Sequence, residues 1–159
     1  MLRFYRDALG LVPAGSNPVP GGTLDRLQCG ASSIKLLSYD ELPPKHPGGV
    51  DVALGYRLLT ITVPDIDVMS RRLADRGFAP LRYRRTDPYN ISLLNDPDGN
   101  LLEIVSRLDR RFTTELAAVG ATVSSADRTR SFFEQLDVGR PTPIGNYLRS
   151  VGPPSATPS

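Results

Sequence analysis

The chain has 159 residues, 40% hydrophobic and 23% charged, with a formal net charge of +2. That suits one globular domain with at most part of a second. One cysteine, Cys29, and one histidine, His46, exclude an intrachain disulfide, a His-rich metal site and an HExxH helix. No apolar run approaches the ~20 residues that cross a bilayer, and the N-terminus lacks a secretory pattern. The expectation is a soluble cytoplasmic protein with no membrane partner. Three arginine clusters stand out: Arg71, Arg72 and Arg76; Arg82, Arg84 and Arg85; Arg107, Arg110 and Arg111. Spread over several elements with few aromatics between them, they read as solvated surface, and no nucleic-acid partner is expected. A small anionic ligand stays open.

In chain order, Leu2, Tyr5 and Leu9 form a helical stripe that Gly10 stops. No Ser, Thr, Asp or Asn precedes it as a cap, so the chain reads as starting inside an element whose opening strand is missing. Residues 12–22 read as a loop that leaves room for a further strand, followed by strands at 23–29 and 33–39. A Pro/Gly-rich connection spans 40–55. A β-run from Tyr56 to Val63 leads into a helix capped by Asp65 or Asp67, striped by Ile66, Met69 and Leu73, and ended by Gly77. Strands at 80–85 and 89–95 precede the tight turn Asp96-Pro97-Asp98-Gly99, and Leu101 to Ser106 pairs back. Thus 1–39 repeats the order of 56–106 without its first strand. After a short linker at 109–115 the pattern restarts. Leu116 to Val123 is strand-like, Ser124 and Asp127 have capping-box spacing, and Phe132-Phe133 with Leu136 makes a helical stripe. Residues 116–150 therefore read as the start of a second, truncated domain, and 151–159 as a disordered tail.

Three stretches carry a resemblance. Phe4-Tyr5-Arg6-Asp7-Ala8-Leu9-Gly10-Leu11, Thr62-Val63-Pro64-Asp65-Ile66-Asp67 and Asn95-Asp96-Pro97-Asp98-Gly99-Asn100-Leu101-Leu102-Glu103 together resemble the vicinal oxygen chelate superfamily. Glyoxalase I, bleomycin-resistance proteins and extradiol dioxygenases belong to it. The resemblance covers roughly residues 1–108 and implies an α+β fold of paired βαβββ modules around a shared cavity. In metal-dependent members, four inward side chains hold a divalent ion that polarises substrate oxygens.

Carried over position by position, the resemblance places the second ligand at Lys35, the third at Leu58 and the fourth at Glu103. The first belongs to the opening strand. The strand near 116–123 is one way to fill that gap, from the same chain or from a second copy, and it puts Ala118 at the first position. A misplaced start codon is the other. Lysine and leucine ligate no cation, so Glu103 is the surviving metal and catalytic candidate, and this chain alone is expected to hold no metal. Strand alternation puts Lys35, Leu37 and Tyr39 on one face, with Leu58, Thr60 and Thr62, and Leu101, Glu103 and Val105, on matching faces. The cavity is therefore expected to be lined by Lys35, Leu37, Tyr39, Leu58, Thr60, Thr62, Leu101 and Glu103, with a Lys35–Glu103 ion pair in place of the metal. His46 reads as a solvent-facing loop residue and Cys29 as a small apolar core residue. Asn90-Ile91-Ser92 matches a glycosylation sequon, idle without secretion.

These residues lead to metal-independent binding of a small molecule. One alternative is a lyase or dioxygenase using Zn, Ni, Fe or Mn, completed by missing sequence or a partner chain. Another is a truncated interaction module. A homodimer closed by strand complementation accompanies either.

Overall fold

The computed structural model describes residues 1–44 and 49–136. His46 lies outside them, as does the 151–159 stretch read as a tail. The chain divides after Thr122: Met1–Thr122 form one compact unit, and a second begins at Val123.

The N-terminal stripe forms a short π-type helix, Arg3–Ala8, in which the Leu9 amide donates to the Phe4 carbonyl at 2.9 Å. Its first turn has no side-chain cap, as the sequence implies. Gly10 ends it at φ +81°, a left-handed conformation that glycine adopts without strain. The chain then makes β1 (Val12–Val19), β2 (Gly22–Cys29) and β3 (Ser32–Tyr39), an antiparallel meander in the order β1-β2-β3. The 12–22 segment is thus mostly strand rather than loop. The two prolines of β1 and Gly15 mask the pattern, yet they suit an edge strand, and the β1–β2 register shifts between Pro13 and Ser16.

The second sheet is built from β4 (Gly55–Thr62), β5 (Tyr83–Thr86), β6 (Tyr89–Asn95), β7 (Leu101–Arg107) and β8 (Glu115–Thr122), in the order β5-β6-β7-β4-β8. β4 and β7 run parallel, joined through α1 (Ile66–Asp75). Asp65 is the cap: its Oδ1 accepts from the Asp67 and Val68 amides at 2.9 and 3.0 Å. Ile66, Met69 and Leu73, spaced by helical turns, are buried. They share one core with Phe4, Tyr5, Leu9, Leu27, Ile34, Ile61, Leu102 and Ile104, so both helices and both sheets pack around it.

β8 settles where the strand near 116–123 goes. It lies antiparallel on the free edge of β4, in the same chain, with Leu58 opposite Gly120 and Thr60 opposite Ala118. It also comes alongside β3, without a hydrogen-bonded ladder between them. The stretch expected to open a second domain therefore joins the sheet of the first, because an unpaired β4 edge in mid-fold leaves its amides and carbonyls without partners. Beyond it, α2 (Ala126–Gln135) is capped by Ser125, which accepts from the Arg128 amide at 3.3 Å. The expected Ser124–Asp127 capping box is displaced by one residue. No residue of α2 is buried.

Candidate binding site

A cavity of about 500 Å³ opens beside β3, β4 and β7. Its walls include Leu37 and Tyr39 from β3, Tyr56 and Leu58 from β4, and Leu101 from β7. Alternation explains part of the set: Leu58 and Leu101 are direct cross-strand partners on one face, while Arg57 and Leu59, on either side of Leu58, also border the cavity. The Asp98-Gly99-Asn100 turn and the Leu42-Pro43-Pro44 segment complete the rim. Leu37 is 51% exposed, Tyr39 43% and Tyr56 74%, whereas Leu58 beneath them is 5% exposed. The cavity is an open apolar cleft with a closed floor.

One step further along the same face, Thr60 and Glu103 are partners across β4 and β7, but neither they nor Lys35 and Thr62 are among the residues that line the cavity. The Thr60 hydroxyl donates to Glu103 Oε2 at 2.8 Å. Glu103 is 4% exposed, and its Oε1 has no partner among the described residues. The expected Lys35–Glu103 ion pair is not formed. Lys35 is exposed on β3, opposite Arg26 of β2, and Thr60, the direct partner of Glu103 on the adjacent strand, takes the carboxylate instead. Thr62 shares the predicted face but serves the scaffold: its Oγ1 donates to the Thr113 carbonyl at 3.0 Å, where the chain enters β8.

The side chains at the four ligand-equivalent positions are now placed. Ala118 stands across from Thr60, and Thr60 from Glu103, so the first and fourth positions fall in one row. Alanine and leucine offer no donor atom, and a lysine ammonium repels a cation, which leaves one carboxylate. This donor set does not fit a divalent ion, which takes three or four protein ligands. Among the described residues no three His, Cys, Asp or Glu side chains stand close enough to share one.

Tyr56, Arg57 and the rim segments are cavity residues that sequence reasoning did not single out. Tyr56 was within reach, two positions before Leu58 on the same face. The rim comes from irregular backbone, which has no periodicity to read. There Arg57 donates from Nε to the Ala53 carbonyl and from Nη2 to the Leu54 carbonyl, each at 3.2 Å, tying the Ala53-Leu54 segment to β4. Cys29 is 1% exposed, and burial, with Glu115 nearby, pushes its thiol up to about 11, which fits a core residue rather than a nucleophile.

Comparison with known proteins agrees with this geometry. The family model "Glyoxalase/Bleomycin resistance protein/Dioxygenase superfamily" matches residues 1–104. A glyoxalase family protein from Enterococcus faecalis is 26% identical, with a TM-score of 0.53 over 66% of this chain and 85% of that one. The solved structure of SMU.1112c is 24% identical, with a TM-score of 0.56 over 66% of this chain and 86% of that one. None of the curated proteins matches the sequence significantly. With matching motifs, paired sheets and a central cleft, the chain belongs to the glyoxalase/bleomycin resistance protein/dioxygenase superfamily.

Proposed function

We propose that this protein binds a small apolar or aromatic molecule in the cleft between its sheets, without a resident metal ion. The observation that carries the reading is the cluster of exposed Leu37, Tyr39 and Tyr56 around a cavity of about 500 Å³, outside the core. Apolar side chains gathered at a concave surface gain from being covered, at about 2.5 kcal/mol per 100 Å² of apolar area. The Tyr39 and Tyr56 side chains on this surface carry hydroxyls, which favours a ligand with a hydroxyl or amine over a plain hydrocarbon. The chemistry this arrangement supports is recognition and sequestration, because one carboxylate bonded to a threonine polarises no substrate carbonyl.

The test is titration of the purified full chain with naphthol, a planar aromatic alcohol, followed by tyrosine fluorescence with and without a chelator. Saturable binding, unchanged by the chelator and weakened at least tenfold in Leu58→Asp, is the expected result. An equivalent of Ni, Zn, Fe or Mn that copurifies with the protein and is lost in Glu103→Ala would overturn the metal-independent reading in favour of a lyase or dioxygenase. Concentration-dependent self-association with no ligand binding would favour an interaction module.

A further inference from the structure

A second cavity, of about 400 Å³, lies away from the cleft, where the N-terminus of α1 meets the ends of β5, β6 and β7. Its floor is a row of polar residues across three strands: Arg85 of β5 opposite Asn90 of β6, and Asn90 opposite Ser106 of β7. Their neighbours on that face, Leu102 and Ile104, belong to the core. A polar row continuing an apolar face costs stability unless it is satisfied, and this one is not. Asn90 is 7% exposed and Ser106 2%. The Asn90 Nδ2 donates to Ser106 Oγ at 3.3 Å, and Asn90 Oδ1 has no partner among the described residues. A serine hydroxyl donates as readily as it accepts, so the amide keeps this bond in either orientation and can turn its NH2 to a ligand.

Arg110 and Arg111, from the connection after β7, line the same cavity. The fold therefore joins members of two arginine clusters that lie apart in the sequence. The acidic groups of the cavity are already committed. Asp65 caps α1, Asp67 Oδ1 accepts from the Tyr83 hydroxyl at 2.7 Å, and Asp109 accepts from Arg107 Nε at 2.6 Å. Arg110 lies over the Phe112 ring, its Cζ 5.6 Å from the centroid. No carboxylate stands within ion-pair distance of Arg85, Arg110 or Arg111 among the described residues, although the Arg110 charge is felt at Asp109, which Arg107 already holds.

We infer that this cavity is a binding site for an oxyanion, a phosphate or carboxylate group of a small molecule. Arg85, Arg110 and Arg111 hold it through their forked N–H edges, and Asn90 supplies the buried hydrogen bond. Guanidinium forks match planar and tetrahedral oxyanions bidentately. The site is separate from the apolar cleft, so its ligand adds to the cleft's ligand rather than replacing it.

The experiment is an amide NMR titration of the isotope-labelled full chain with inorganic phosphate and, separately, with acetate. Saturable shifts centred on Arg85, Asn90 and Arg111, with Kd raised at least tenfold in R85Q/R111Q, are expected for at least one anion. Saturation by phosphate alone assigns a phosphoryl ligand, and saturation by acetate alone a carboxylate. Both arginines are exposed, so the variant is expected to keep the parent's Tm. Asn90→Ala, compared at matched Tm, should weaken the same binding. Shifts that fail to saturate with either anion, or a Kd unchanged in R85Q/R111Q, would overturn the site.

Discussion

Tyr5 and Asp96 join the two best-marked stretches of the sequence. The Tyr5 hydroxyl donates to Asp96 Oδ2 at 2.9 Å, in a buried contact between residues 91 positions apart. The same carboxylate accepts from the Asp98 and Asn100 amides and from Asn100 Nδ2, each at 2.9 Å. Asp96 therefore both closes the tight turn and ties it to the opening helix, which is why an acidic residue is tolerated at 4% exposure. Tyr5→Phe should lower stability by about 2 kcal/mol, the usual worth of a buried hydrogen bond to a charged group, as read from urea denaturation. Burial first, and then the Asp96 charge, push the Tyr5 hydroxyl far above its ordinary range. The unfolded chain releases that proton near pH ~10, so the native state binds more protons above that point and stability falls as pH rises. Tyr5→Phe should remove this part of the alkaline loss. The turn residues and the helix stripe were legible from their own spacing, while the contact between them was not, because no local pattern records a partner so distant.

At the scale of elements, β4–α1 and β8–α2 are built alike. Each is an eight-residue strand, a short link and a ten-residue helix. The links are Val63-Pro64-Asp65 and Val123-Ser124-Ser125. The first helix buries Ile66, Met69 and Leu73, and the second buries nothing, with Phe132 56% exposed and Leu136 53%. The sequence shows the repeat, but not that its two copies differ in burial, since burial depends on which surfaces are free. β8 holds its place through a close approach: a Cβ added to Gly120 would lie 3.0 Å from the Leu58 Cβ. Gly120→Val should part β8 from β4 and cost about 1–3 kcal/mol, seen as a lower Tm and faster amide exchange along both strands. Gly30 makes a similar allowance at the other end. It has a positive φ, and a Cβ there would collide with the Glu115 Cβ.

For the molecule as a whole, β8 makes one sheet out of pieces far apart in the chain. Removing residues 112–159 should expose the β4 edge and leave the remainder aggregated or without a cooperative unfolding transition, as followed by light scattering and thermal melts. A soluble, cooperatively folding remainder would show that β8 covers the edge without supporting the fold. No helix of the described residues is long and apolar enough to cross a membrane. The arginine clusters, which along the chain read only as surface, are redistributed by the sheet so that Arg85, Arg107, Arg110 and Arg111 surround one cavity.

Alternation and turn chemistry determined most of the strands, the helix stops at Gly10 and Gly77 and the face that carries Leu58, Leu101 and Glu103, because each depends on residues a few positions apart. The tertiary structure decided the partners. It gave Glu103 to Thr60 rather than Lys35, set Ala118 beside that pair, placed β8 on β4, and turned a proline-bearing loop into an edge strand. Those choices rest on which edges and buried polar atoms are left unsatisfied once the sheets assemble. That quantity belongs to the folded chain and to no segment of it.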